Sequence, residues 1–332
     1  MATVSDTSSS AVAEEPGHPE PGSVARLSFE ARPPLQARTV SARVSLRTRL
    51  REIVGARELL VFLVRKELKV KYKGSVLGLL WSMLNPAVTL LVYYVVFKYF
   101  LKASAPSFAL YLFSGMIVWN FFLTALIGAA STIVANAGIV KKVSFPREIL
   151  ALAQIGTSGM FFLFQSVVLV IFLVGFQYTP AWGWMPLIPF ALVDLLLFTS
   201  ALAIFLSAVN VYLRDIEHLV AVLLNAWFWG VPIIYSFNQV YGHKSLHWLG
   251  ELYLFDPMTV IILTFQRAIY GKVSYRTYDA ATHTFKTTVW LANYPYHFYL
   301  FMLGCVLVAS VLLLLGAMLV FGRIEGNFAE EL

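Results

Sequence analysis

The sequence predicts an all-α membrane protein: six transmembrane helices, an N-terminal cytoplasmic amphipathic interface helix before the first, and short external re-entrant helices before the last. Composition is the first observation, since 59% of the 332 residues are hydrophobic and only 13% are charged, with a mean hydropathy of +0.73. Soluble chains average about 25% charged residues. The second observation is where the charge falls. Residues 75–97, 103–140 and 149–193 contain no Lys, Arg, Asp or Glu, and about 20 largely apolar residues suffice for a helix to cross a bilayer. The third is a basic, amphipathic stretch directly before the first of these segments. Together they exclude a pair of soluble domains. The single cysteine, Cys305, excludes an intramolecular disulfide and a multi-cysteine metal cluster.

Taken in chain order, residues 1–50 read as a disordered, basic cytoplasmic tail. The first 23 are rich in Ser, Ala, Glu, Pro and Gly and offer no apolar core for a signal peptide. The net charge of +7 would suggest nucleic acid in a soluble chain, but more than half of the 25 Lys and Arg precede the first span. Membrane orientation and anionic lipid account for that charge, and no nucleic-acid partner is expected. Residues 51–73 form the interface helix. Ile53, Ala56, Leu60, Val64 and Leu68 recur at steps of three and four, and Glu67 and Lys71 can pair across a turn of the other face, while Phe62 breaks the pattern. Six basic residues from Arg57 to Lys73 favour a helix lying at the interface and place the N-terminus in the cytoplasm.

The transmembrane domain then occupies 74–325, with crossings at about 76–98, 108–134, 150–176, 186–209, 218–238 and 295–321, and 326–332 remain as a cytoplasmic tail. An even count puts both termini, and the 135–148 and 210–217 loops, on the cytoplasmic side, where most of the Lys and Arg also fall. Between the fifth and sixth crossings, Leu252–Gly271 holds a short apolar core, Val260–Phe265, bounded by Asp256 with Pro257 and by Arg267. That core is too short for a comfortable crossing, so short helices dipping into the outer leaflet are expected.

Few residues carry chemistry. Asn85 and Pro86 in the first span, Asp194 in the fourth and Asn225 in the fifth are polar or helix-bending positions at membrane depth. Asp194 is read as a packing or water-facing carboxyl rather than a proton relay. His243 and His247 have neither a third ligand nor an embedded Glu nearby, so no metal site is expected. No G-x-x-x-x-G-K-[ST] loop and no G-x-S-x-G elbow occurs, so no intrinsic catalytic site is expected. The 26 Phe, 16 Tyr and 8 Trp are more prominent. Trp81, Tyr93, Tyr94, Trp119, Phe122, Trp227 and Trp229 lie along the spans and are candidates for apolar faces on which sugar rings stack, against the simpler reading that they pack on lipid or helices. The loop ANAGIVKKVSFPRE, residues 135–148, sets Lys141, Lys142 and Arg147 beside Phe145. Such a basic, aromatic knob suits a soluble partner or merely fixes topology.

Five ordered segments carry a family resemblance: YKGSVLGLLWSMLNP from Tyr72 to Pro86, VSFPREIL from Val143 to Leu150, NVYLRDIEHLV from Asn210 to Val220, VPIIY from Val231 to Tyr235, and DPMT from Asp256 to Thr259. Over residues 50–325 the chain resembles the permease subunits of ABC-2 type polysaccharide exporters, the group that moves O-antigen, teichoic acid and lipid-linked galactan. The resemblance implies a homodimer of six-span subunits in the bacterial inner membrane. Two copies of a separate ABC nucleotide-binding subunit would use ATP and magnesium, with no cofactor bound by this chain. By position in the family's motifs, Phe145, Pro146, Arg147 and Glu148 fall in the first segment coupling to the ATPase. Tyr212, Arg214 and Asp215 fall in the bend leading to the fifth span, and Phe255, Asp256 and Pro257 in the external gate. Asp256 departs from the pattern, in which Asn is common, and leaves the local charge open. The arginine-rich tail lies outside the shared motifs. The implied substrate is an undecaprenyl-linked glycan. A small-amphiphile exporter, a nontransporting scaffold of glycan assembly and a membrane glycosyltransferase are the competing classes, the last lacking any convincing carboxylate or metal constellation.

Overall fold

The structure, a computed structural model, describes residues 46–75, 77–78, 80–100, 107–238, 252–271, 274–279 and 284–332. The N-terminal tail before residue 46 and the His243/His247 pair lie outside these residues. Helix α1 (Leu46–Gly55) is followed by α2 (Arg57–Lys71). The expected single interface helix therefore starts earlier and divides at Gly55–Ala56, where Ala56 leaves helical geometry at φ −91°, ψ 20°. Glycine is among the weakest helix formers, which makes it a natural place for the division. On the expected face, Ala56, Leu60 and Val64 pack against the core and Leu63 is fully covered, whereas Phe62 points outward.

Four helices are long and apolar enough to cross a membrane: α4 (Phe108–Ala135), α6 (Glu148–Gly175), α7 (Leu187–Tyr212) and α10 (Tyr296–Ile324, prolonged by a 3₁₀ turn to Asn327). They coincide with the second, third, fourth and sixth expected crossings. The first and fifth are shorter. Helix α3 (Leu80–Val95) contains Pro86 and continues as a π-helical turn, Val96–Phe100. Helix α8 (Ile216–Gly230) stops well before residue 238. Its stop has a local cause: proline disfavours helical geometry in the residue before it, and Val231, before Pro232, is extended at φ −106°, ψ 139°. Hydropathy alone carries the fifth crossing past a proline that ends it.

Helix α4 is the axis of the bundle, packing against α6, α7 and α8, with both ends and most of its middle buried. The next layer is α9 (Pro257–Ile269), which packs against α4, α7 and α10. Every residue from Met258 to Ile269 is buried, Gln266 and Arg267 included. The expected dip into lipid is thus a helix whose sides are covered by protein, because a segment carrying Gln and Arg requires polar partners that hydrocarbon cannot supply. Gln266 Nε2 donates to the carbonyl of Pro232 at 3.1 Å, and the hydroxyl of Tyr111 on α4 donates to the same oxygen at 3.2 Å and to that of Tyr235 at 2.8 Å. Close approach to α4 depends on Gly115, where an added Cβ would stand 3.0 Å from Gln266 Nε2.

One feature departs from an all-α fold. Ser274–Asp279 (β1) pairs antiparallel with Thr284–Val289 (β2), Ser274 opposite Val289 and Asp279 opposite Thr284. These stretches are rich in Thr, Tyr and Phe, residues suited to a pleated ribbon. Nor do the residues after 325 form a free tail. Helix α11 (Phe328–Glu331) folds back so that Phe328 is wholly buried, its ring 5.5 Å from Phe321 and 6.1 Å from Tyr212.

Helix α2 seats on α6 through a glycine. A Cβ on Gly156 would lie 2.7 Å from Val64 Cγ2, a collision that one of the two helices must yield to. Gly156→Ala should lower the unfolding midpoint of the detergent-solubilised protein by an amount equivalent to about 1–3 kcal/mol, and Val64→Ala in the same chain should restore most of it. An unchanged midpoint in Gly156→Ala would show that α2 is not seated there.

Candidate functional site

Two polar assemblies interrupt this apolar bundle. The first sits at the end shared by the 136–147 turn, the 213–215 bend and the chain terminus. Pro146 begins the turn into α6 and places Glu148 in its first turn, where helix geometry favours a carboxylate. Glu148 is only 1% exposed. Its charge is met by Arg49 of α1, whose Nη1 lies 2.5 Å from Glu148 Oε1 and whose Nη2 lies 2.7 Å from Glu325 Oε2. Arg147 closes the group. Its Nη1 donates to the carbonyl of Glu325 at 2.6 Å, its Nε is 3.9 Å from Glu325 Oε1, and its guanidinium lies over the Phe328 ring at 5.6 Å. Two cations therefore balance two carboxylates. Burial alone would lower the proton affinity of Arg49, but Glu148 and Glu325 outweigh it and hold the guanidinium above its usual range. Arg49 also needs room: a Cβ on Gly322 would lie 2.9 Å from its Cζ.

The residues expected to couple to an ATPase divide into two sets. Glu148 is buried and Arg147 is engaged within the chain. Tyr212 shows its ring but donates its hydroxyl to the carbonyl of Ile324 at 2.8 Å. Phe145 and Pro146 are half-buried, with Phe145 packed on the core. Lys141, Lys142, Val143, Leu213, Arg214 and Asp215 are exposed at the same end. Sequence reading missed Arg49, Glu325 and Phe328. Arg49 is one of many arginines with nothing to single it out, whereas Glu325, a lone acid at the end of the last apolar run, was a usable signal.

The second assembly is a cleft of about 450 Å³ between α3 and the α4–α6 pair. Helix α3 supplies Trp81, Ser82, Asn85, Pro86 and Thr89 to it; Phe113, Met116, Asn120 and Thr124 come from α4, and Phe161 and Gln165 from α6. Asn120 Nδ2 donates to Gln165 Oε1 at 3.2 Å, and Thr124 Oγ1 bonds Ser158 Oγ at 3.1 Å. Where α2 ends, Lys71 and Tyr72 border the cleft. Lys71 Nζ stands 4.1 Å from the centre of the Phe161 ring and Tyr72 meets that ring edge-on. Among the described residues Lys71 is in no ion pair, so the expected Glu67–Lys71 pairing is replaced by the aromatic contact. Partial burial lowers the proton affinity of its ammonium.

The candidate aromatics do not share one surface. Trp119 and Phe122 are shut inside, with Phe122 stacked on Phe198 at 5.7 Å and edge-on to Trp227 at 5.5 Å, so they tie α4 to α7 and α8 and present no face to a ligand. Tyr93 and Tyr94 are half-buried against Phe97 and Phe176. Trp81 and Trp229 are open, at 49% and 63% exposure. In the gate segment Phe255 is 83% exposed. Asp256 caps α9, accepting from the N–H groups of Met258 at 3.2 Å and Thr259 at 3.0 Å, with Pro257 in the permissive first position. Asp and Asn are equally good helix caps, which gives the departure from Asn a structural sense. Asp194 is 2% exposed, with Oδ2 unbonded among the described residues, and no metal-binding cluster occurs among them.

Long apolar helices around a polar cleft, with a charged cluster at one end of the bundle, describe a multi-pass membrane protein of the transport class. Residues 58–270 match the family model for the ABC-2 type transporter, and the chain belongs to that family. It is similar to an O-antigen export system permease protein of Klebsiella pneumoniae, 31% identical over 63% of this chain and 79% of the relative. A second permease protein so named, from the same organism, is 28% identical over 83% of this chain and 95% of its own length. One from Myxococcus xanthus is 32% identical over 67% of this chain and 84% of the relative.

Removing one side of a buried ion pair costs about 3–5 kcal/mol, whereas replacing both sides with apolar residues is often neutral. Glu148→Gln should therefore destabilise the solubilised protein by about 3 kcal/mol, and Arg49→Met combined with Glu148→Met should recover at least half of that, since Glu325 keeps Arg147. Equal losses in the single and double variants would contradict a paired role for the two charges.

Proposed function

We propose that this chain is the membrane permease of an ATP-driven exporter that carries an undecaprenyl-linked polysaccharide of the O-antigen kind from the cytoplasmic to the external face of the bacterial inner membrane. The observation that carries this reading is the similarity to O-antigen export permeases, which extends over most of the chain rather than over one motif. In this reading the end bearing Arg147 and Arg214 is cytoplasmic, consistent with the excess of Lys and Arg there. Helix α3 with its π turn and α8 with the VPIIY segment complete six crossings, α9 forms part of the external gate, and two copies of the chain enclose the path. The interface helices lie against anionic lipid.

Two copies of an ABC ATPase would dock on the exposed basic turn at Lys141–Val143 and on the Leu213–Asp215 bend. Phe145 is the edge of that surface nearest the core, and the Arg49–Glu148–Glu325–Arg147 group is its anchorage. Motion of the ATPase would then reach α6 and α10 together, because both helices end in the same ion cluster. Trp81 and Trp229, the open rings, are the members of the aromatic set able to meet a glycan.

Depletion of the chain should trap lipid-linked polymer on the cytoplasmic face, and the purified chain should hydrolyse ATP only with its co-purified ATPase. Phe145→Asp sets a carboxylate at the docking edge, where an unpaired charge at a buried contact costs about 2–5 kcal/mol. Partner binding and export should fall together at equal membrane abundance. Normal partner affinity and normal export in that variant would remove Phe145 from the docking surface. ATP hydrolysis by the chain alone would remove the permease assignment itself.

A further inference from the structure

The cleft between α3 and the α4–α6 pair is chemically out of place among spans. Ser82, Asn85, Thr89, Asn120, Thr124 and Gln165 put amides and hydroxyls on its walls. An acyl chain lying there would leave these groups facing hydrocarbon, a costly arrangement. A ligand bearing hydroxyls or amides of its own would satisfy them. Its size, about 450 Å³, falls in the range of small-ligand sites. From Phe113 to Thr124 it runs about 16 Å along α4, at 1.5 Å per residue, so it accepts something longer than a single headgroup atom cluster. Trp81, half open, and Phe161 add flat apolar faces beside the polar ones.

Its α2 end is different in charge. The ammonium of Lys71 stands over Phe161 without a carboxylate partner among the described residues, and no Asp or Glu is among the cleft residues. The phenol of Tyr72 stands beside it as a second hydrogen-bonding group. A cation without an acidic neighbour, at the mouth of a hydroxyl- and amide-lined cleft, matches an anionic group joined to sugars. Fixed charge-assisted hydrogen bonds to phosphate oxygens are among the stronger contacts available to such a mouth.

We infer that this cleft is a binding site for the phosphorylated headgroup of a glycolipid, with the phosphate at Lys71 and Tyr72 and the first sugars along Trp81, Asn85, Asn120 and Gln165. This rests on the export reading for the identity of the glycolipid, but not for the presence of the site. An ordinary anionic phospholipid fits less well, since it would bring acyl chains rather than hydroxyls to Asn120 and Gln165.

The test uses the intact complex of this chain with its ATPase in phosphatidylcholine nanodiscs, titrated and read by native mass spectrometry. Four probes are compared: a polyprenyl-diphosphate disaccharide, the same polyprenol without phosphate, phosphatidylglycerol, and inorganic phosphate. The disaccharide lipid should bind most tightly, and Lys71→Gln should weaken it about tenfold, with Lys71→Arg restoring most of the affinity. Asn120→Leu with Gln165→Leu should weaken the disaccharide lipid while leaving phosphatidylglycerol unchanged. An unchanged unfolding midpoint in each variant separates binding from folding. Equal binding of the phosphate-free polyprenol, equal binding of phosphatidylglycerol, or indifference to Lys71→Gln would each overturn the site. If the complex exports no glycan yet binds the disaccharide lipid through Lys71, the export reading falls and the site stands. If export proceeds and Lys71→Gln leaves its KM unaltered, the site alone falls.

Discussion

Charge inside an apolar bundle has to be met by opposite charge, and Arg49 meets that constraint for three separate parts of the chain. It reaches Glu148 at the head of α6 and Glu325 at the foot of α10, residues far apart in sequence. The first helix, the turn before α6 and the chain terminus are thereby one assembly. Arg147 and Phe328 extend it, one by hydrogen bonding to the Glu325 carbonyl and the other by filling the space between Phe321 and Tyr212. Such a cluster is poor evidence of extra stability, because desolvating its members offsets much of their attraction. Its value is positional: each partner has one place to go.

Beyond that end, order is imposed by α4. Its buried face receives α6 and α7 along most of its length and α9 where Gly115 leaves room for Gln266. Helix α3, by contrast, keeps Leu90 as its one buried residue among those described and is separated from α4 and α6 by the polar cleft. The bundle is therefore firm around α4 and loosely sealed along α3. Transport calls for that contrast, since a passage must have at least one wall that is not packed shut.

Much of the architecture was legible in the sequence. The long charge-free runs mark α4, α6 and α7, and the last apolar run marks α10, because lipid solvation leaves hydropathy as the dominant signal. The face of α2 was legible from its periodicity, and the Asp256-Pro257 pair from cap chemistry. Where reading failed, the missing quantity was direction. A helix that is apolar all round does not say which residues meet lipid and which meet protein, so Trp119 and Trp229 looked equivalent although one is sealed and the other open. The same ambiguity hid the enclosure of α9. The engagement of Glu148 and Arg147 was hidden for a different reason: their partners, Arg49 and Glu325, lie far away in the chain, and a single sequence carries no record of long-range pairing.

The carbonyl oxygen of Pro232 is shared by Tyr111 and Gln266. A carbonyl has two lone pairs, so the two donors saturate it, and one can leave without stranding it. If α9 swings away and Gln266 lets go, Tyr111 still holds the oxygen, and the break after α8 stays anchored to the bundle axis. The outer elements can then loosen in succession rather than all at once, in the manner of a rope belayed at two points, and no step exposes an unpaired backbone acceptor at this break.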